Sequence, residues 1–135
     1  MTPTIQQSVR LLAPPMELFD TYLDSKKHSA VTGGKARISR KAGAKFTAWN
    51  GVLSGRNLLI VPNRLIVQAW RSAHFKRSDP DSILVLEFRK APGGGRIDLV
   101  HGNVPPQDHK GVKGGWPKYY WKPWKKYLLA KKKQH

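Results

Sequence analysis

Gly114-Gly115-Trp116-Pro117-Lys118-Tyr119-Tyr120-Trp121-Lys122-Pro123-Trp124-Lys125-Lys126-Tyr127-Leu128-Leu129 is the stretch that decides the fold, and six of its sixteen residues are aromatic. At about 100° per residue, Trp116, Tyr119, Tyr120, Trp124, Tyr127 and Leu128 fall on one side of a helix. Lys118, Lys122, Lys125, Lys132 and Lys133 fall on the other, and Leu129 sits with the lysines. Such an aromatic face needs something concave to lie in. Stripes of this kind usually pack as core, and the alternative is that the helix closes a cavity. Pro117 either starts the helix or kinks it. Pro123 lies on the aromatic face, frees the carbonyl of Tyr119 and allows a bend.

Working back along the chain, the surface for this helix is an antiparallel meander. Strands are expected at 36–40, 45–49, 52–61, 64–72, 82–90 and 96–103. They are separated by Lys41-Ala42-Gly43, Asn50-Gly51, Pro62-Asn63, Ser78-Asp79-Pro80-Asp81 and Pro92-Gly93-Gly94-Gly95. Asn50-Gly51 reads as a two-residue hairpin, and Pro62-Asn63 as a second tight turn. Alternation places Ile66, Gln68 and Trp70 on one face, then Leu84, Leu86 and Phe88, then Ile97, Leu99 and His101. Glu87, Arg89 and Asp98 lie on the opposite face, so one side of the sheet is wet. The apolar side must be buried, and the aromatic helix is the long element left to cover it.

Before the meander, 4–12 reads as a strand stopped by Ala13-Pro14-Pro15. Pro15 suits the first position of a short helix carrying Met16, Phe19 and Leu23. Asp24 or Ser25 can cap a second short helix, which Thr32-Gly33-Gly34 ends. The whole is an α+β helix-grip fold: a curved antiparallel sheet around a long C-terminal helix, with two short helices after the first strand. Residues 1–135 read as a single domain, and 131–135 as a frayed basic tail.

Composition narrows the chemistry. The chain has no cysteine, which excludes disulfides, thiolate metal sites and cysteine nucleophiles. No apolar run reaches the roughly 18 to 20 residues of a membrane span, and a cytoplasmic protein is expected. Against 8 Asp+Glu stand 25 Lys+Arg, for a net charge of +17. Twelve basic residues and no carboxylate lie between Ser25 and Ser78, and nine lysines follow Asp108. Such a surface attracts polyanions: nucleic acid, anionic lipid or an acidic protein face.

Several strings, in order, resemble the activator of heat-shock protein 90 ATPase homologue family, a branch of the START-like (SRPBCC, Bet v-like) superfamily. They are Pro14-Pro15-Met16-Glu17-Leu18-Phe19-Asp20, Arg37-Ile38-Ser39-Arg40-Lys41-Ala42-Gly43-Ala44-Lys45-Phe46, and Pro62-Asn63-Arg64-Leu65-Ile66-Val67-Gln68-Ala69-Trp70-Arg71. Leu99-Val100-His101-Gly102-Asn103-Val104-Pro105 follows, then Gly115-Trp116 with Tyr120 and Leu128. The resemblance implies a helix-grip domain with a cavity between sheet and helix, often associated with small apolar ligands, and sometimes a co-chaperone role. The chain departs from the family pattern at Val31, where a tryptophan is usual, which enlarges or reshapes that end of the cavity. It departs again at Gly43-Ala44 and at Pro117. The eukaryotic activator adds a separate N-terminal chaperone-binding domain, and no stretch here reads as that unit.

No catalysis, cofactor or metal site is expected. The histidines His28, His74, His101, His109 and His135 show no paired ligand spacing, and no two carboxylates are placed to share a proton. The glycines after Pro92 join two strands instead of opening a helix, so they form a hairpin and not a phosphate cradle. A hydrophobic cavity is better supported, with Ile66, Gln68, Trp70, Leu86, Phe88, Leu99, His101, Trp116, Tyr120 and Trp124 as its expected ligand-binding residues. Gln68 and His101 are its isolated polar groups; each is satisfied either within the protein or by a ligand. Two other roles stay open. One is binding or stimulation of heat-shock protein 90, and the other is polyanion binding through Lys118, Lys122, Lys125 and Lys126, with aromatics on the same helix that resemble a base-stacking platform.

Overall fold

A computed structural model describes residues 2–133. The elements are β1 (Ile5–Leu11), α1 (Pro15–Leu23), α2 (Ser25–Thr32), β2 (Lys45–Ala48), β3 (Leu53–Val61), β4 (Leu65–Ser72), β5 (Ser82–Ala91) and β6 (Gly94–Gly102). The C-terminal helix follows as α3 (His109–Trp116), a π-helical turn (Pro117–Trp121) and α4 (Lys122–Lys133). All six strands form one curved antiparallel sheet in the order β1-β6-β5-β4-β3-β2, with the C-terminal helix on its inner face, as expected of a helix grip.

Local signals set the first elements. Pro15 opens α1, whose Leu18, Phe19, Tyr22 and Leu23 are buried. The Asp24 carboxylate accepts from the Lys27 N–H at 2.9 Å to cap α2, and Gly33 ends that helix with φ of 84°. Register then aligns Ile5, His101, Leu84, Gln68 and Asn57 in one inward row across five strands. None of the five is more than 2% exposed, although three are polar. The next row, Gln7, Leu99, Leu86 and Ile66, is largely apolar. At the far end Phe19 of α1 meets Phe88 edge-on, with ring centroids 5.6 Å apart.

The segment 36–40 is not a strand. It makes one isolated bridge, Arg37 to Thr47. Serines of α2 take its other backbone groups: Ser25 Oγ accepts from the Ile38 N–H and donates to the Ile38 carbonyl, and Ser29 Oγ accepts from the Ala36 N–H. Asn50-Gly51 is not a two-residue hairpin either. Ala48 pairs with Leu53, and Trp49, Asn50 and Gly51 between them have φ of 49°, 59° and 89°. Asn50 closes this wider turn by accepting from the Lys35 N–H through its side chain and donating its own N–H to the Lys35 carbonyl.

The last helix starts at His109, eight residues before Pro117. Pro117 has no N–H for the carbonyl of Lys113, and Gln7 Nε2 donates to that carbonyl instead, at 2.8 Å. The π turn closes with the Lys122 N–H on the Pro117 carbonyl. Its extra residue rotates the following side chains relative to a regular helix. Trp121 is buried, 6% exposed, while Tyr119, expected on the aromatic face, is left 43% exposed. Lys118, Lys122, Lys125, Lys126, Lys132 and Leu129 are exposed as expected. The side chain of Lys133, and 134–135 of the expected frayed tail, lie outside the described residues.

Candidate ligand groove

Most of the inner face is closed. Ile66, Leu86 and Leu99 are at most 1% exposed and Phe88 is buried beside Phe19, so these four line no open space, and Trp124, 1% exposed, borders only a space of about 10 Å³. Both polar atoms of Gln68 are engaged within the protein: its Oε1 accepts from Tyr22 Oη at 3.1 Å, and its Nε2 donates to Asn57 Oδ1 at 2.9 Å. Asn57 Nδ2 in turn donates to the carbonyls of Ser39 and Lys41.

His101 is held from both sides. Its Nδ1 accepts from Trp116 Nε1–H at 3.1 Å, so Nε2 carries the proton and donates to Ser82 Oγ at 2.9 Å. The Ser82 hydroxyl in turn donates a hydrogen bond to the Trp70 carbonyl at 2.6 Å. Burial pushes the His101 imidazole down to about 3. The neutral ring packs edge-on to Trp70 at 4.7 Å. His28 is similar: Nδ1–H meets the Tyr22 carbonyl at 2.7 Å, and Nε2 accepts from Tyr120 Oη at 2.8 Å. Its burial lowers the imidazole against the raising effect of that carbonyl, and burial raises the Tyr22 and Tyr120 phenols, so both hydroxyls stay protonated donors.

Open space lies at one end of the grip, where the Trp49–Leu53 turn, the end of β4 and the start of α3 enclose a groove of about 550 Å³. Trp49, Trp70, Trp116, Tyr119 and Tyr120 supply its aromatic surface, with Ser72, His74 and Asp108 among its polar groups. Trp49 meets Tyr119 edge-on at 5.3 Å, and Trp70 lies 6.1 Å from Trp116. Gly111 and Gly115, one helical turn apart, also line it, and a Cβ at Gly111 would meet nothing within 4 Å. The groove exists partly because these positions carry no side chain. At Val31 the space is only about 10 Å³, room for about a single water, so valine in place of tryptophan opens little there.

Of the ten expected ligand-binding residues, Trp70, Trp116 and Tyr120 line this groove, and His101 lies directly behind two of them. Sequence reasoning missed Trp49, Val52, Leu53, Asp108 and Val112. The Gly111/Gly115 pair on the helix was the signal that could have found the site, had the helix been extended back beyond Gly114. Among the described residues, no group of three or more His, Asp or Glu is placed to hold a metal ion, and no helix is long and apolar enough to cross a membrane.

Comparison with known proteins agrees with this architecture. The chain is 21% identical over 115 residues to an activator of 90 kDa heat shock protein ATPase homolog from Dictyostelium discoideum, covering 85% of this chain and 30% of that protein. It is 25% identical over 114 residues to the human activator of 90 kDa heat shock protein ATPase homolog 1, covering 81% and 32%. The chain thus spans about a third of the length of the curated relatives it matches. A Plasmodium falciparum crystal structure described as an HSP90 activator superposes with a TM-score of 0.80 at 22% identity, covering 88% of this chain and 91% of that one. Residues 12–128 match the family described as Activator of Hsp90 ATPase homolog 1-like protein, and the chain belongs to that family.

Proposed function

We propose that this chain is a non-enzymatic START-like binding domain that holds a small hydrophobic or amphipathic ligand at the open end of the grip. The observation that carries the reading is the groove itself: about 550 Å³, walled by five aromatic side chains and kept open by Gly111 and Gly115. That volume falls within the range of small-molecule sites, which are mostly apolar with a few fixed polar groups. Trp70, Trp116 and Tyr120 are the contact residues. His101, Gln68 and Trp124, with Ile66, Leu86, Phe88 and Leu99, form the packed scaffold that fixes them. Native mass spectrometry of protein incubated with a panel of lipids and polycyclic aromatics tests this. Retained adducts are expected, and a panel giving none at any concentration up to its solubility would sink the reading.

A second reading is interaction with heat-shock protein 90, favoured by the relatives described as activators of the 90 kDa heat shock protein ATPase. The lysines of the C-terminal helix, Lys118, Lys122, Lys125 and Lys126, are exposed and suited to an acidic partner face. It calls for salt-sensitive stimulation of the host chaperone's ATPase, and an unchanged rate at low salt rules it out. Polyanion binding would use the same lysines without base stacking, because Trp116, Tyr120, Trp121 and Trp124 are buried.

A further inference from the structure

The sheet leaves one stretch of its edge open. β2 pairs with Leu53, Ser54, Gly55 and Arg56 of β3 and goes no further, and the next residue, Asn57, exchanges backbone hydrogen bonds with Gly43 and Ala44 of the loop before β2. From Leu58 to Val61, β3 is paired with β4 on one side, and among the described residues no strand pairs with it on the other. Leu58 is the extra residue of a bulge, because Asn57 stands opposite Gln68 and Leu59 opposite Val67. Leu58 and Leu59 are 47% and 48% exposed, and Ile60 and Val61 are half-buried.

An open edge presents unpaired N–H and carbonyl groups to any further strand, and folded proteins commonly blunt it with a lysine or a proline. Leu58-Leu59-Ile60-Val61 contains neither. Its outward side also continues an apolar surface: Leu59, Val67, Val85 and Val100 stand in one row across the outer face of β3, β4, β5 and β6. A strand added beside Leu59 would lengthen that row by one side chain.

Charge says what kind of strand fits. Lys41, Lys45 and Arg56 flank one end of the open edge, and Arg64, in the turn after Val61, flanks the other. All four are exposed, and among the described residues none is paired with a carboxylate. A second copy pairing here would set these cations against their own counterparts, in a chain of net charge +17. A segment with carboxylates at its ends would neutralise them.

We propose that the edge from Leu58 to Val61 docks an extended segment of another protein, apolar at its centre and acidic at both ends, as an added strand of the sheet. Main-chain hydrogen bonds hold the segment, and the flanking cations select it. This surface is separate from the groove and from the lysines of the C-terminal helix, so it stands or falls apart from both.

The probe is a fluorescent nine-residue peptide with valine, threonine and valine at its centre and three glutamates at each end, titrated into the full chain and followed by anisotropy. Saturable binding is expected, weakening with salt and at least about tenfold tighter than that of the same peptide with lysines for glutamates. At saturation, NMR hydrogen exchange should slow by about tenfold or more at outward-pointing amides within Leu58–Val61. Leu59→Thr and Arg64→Glu, both at exposed positions, should each weaken binding by about fivefold with circular dichroism unchanged. No saturable binding, equal binding of the lysine peptide, or binding that leaves these amides unprotected overturns the proposal. Sedimentation of the chain alone tests a second copy as the occupant: a dimer that already protects the same amides assigns the edge to self-pairing and overturns it as well.

Discussion

Trp116 Nε1 donates a hydrogen bond to His101 Nδ1 at 3.1 Å, tying the last helix to the sheet beneath it. Trp116→Phe keeps most of the ring but strands a buried acceptor, and should destabilise the fold by about 1–3 kcal/mol. Urea unfolding followed by far-UV circular dichroism measures this. A midpoint unchanged from wild type would show that the bond contributes nothing.

His101 and His28 make stability depend on pH in one direction. Both are held below the ordinary histidine value of 6.5, His101 at about 3. The unfolded chain therefore binds protons on both that the folded chain does not. Their neutral-state contribution is complete above about pH 6.5 and falls away as the pH drops below it, for His101 down to about pH 3, by at most about 1.4 kcal/mol per pH unit for each ring. The His101 imidazole resonances should stay in the neutral position down to pH 5 by NMR while the urea midpoint falls. A His101 resonance titrating near 6.5 contradicts the buried network.

Gly111 gives a test that separates stability from binding. A Cβ there, or at Gly114, meets nothing within 4 Å, but only Gly111 lines the groove. Alanine at either position should raise stability by about 0.5–1 kcal/mol through helix propensity. Leucine at Gly111 should block ligand uptake, whereas Gly114→Leu should leave it intact. Equal effects of the two leucines on binding would place the ligand elsewhere.

Gln68 belongs to the scaffold. Gln68→Leu removes the partner of both Tyr22 Oη and Asn57 Oδ1, and should cost about 1–3 kcal/mol with ligand affinity unchanged. Thermal unfolding and calorimetric titration together check it, and a selective loss of affinity would restore Gln68 to the site.

Much of the fold was legible because its punctuation is local. Pro15 at a helix start, Asp24 as a cap, Gly33 as a stop and the turns between strands act over a few residues. Alternation likewise gave the inner faces of β4, β5 and β6. The failures came where distant residues decide. Serines of α2 satisfy the backbone of 36–40, so a stretch that alternates like a strand does not pair as one. The π turn at Pro117–Trp121 lies in the middle of the last helix, and Tyr119 within it, placed on the aromatic face by the helical period, is exposed. The candidate site was the least legible part. Its walls are a turn with three left-handed residues and the glycine-rich start of a helix, both of which read locally as connections. Its supposed polar lining, Gln68 and His101, is satisfied by Tyr22, Asn57, Trp116 and Ser82, partners that only the fold brings near.

The most direct measurement is the NMR response of the five indole N–H resonances as the protein is saturated with the tightest-binding member of the ligand panel. Trp49 lines the groove, whereas Trp121 and Trp124 are buried outside its walls. The Trp49 indole should move strongly and Trp116 detectably, with Trp121 and Trp124 unmoved. A bound ligand that leaves Trp49 in place, or shifts Trp124 as much, would contradict a site at the open end of the grip.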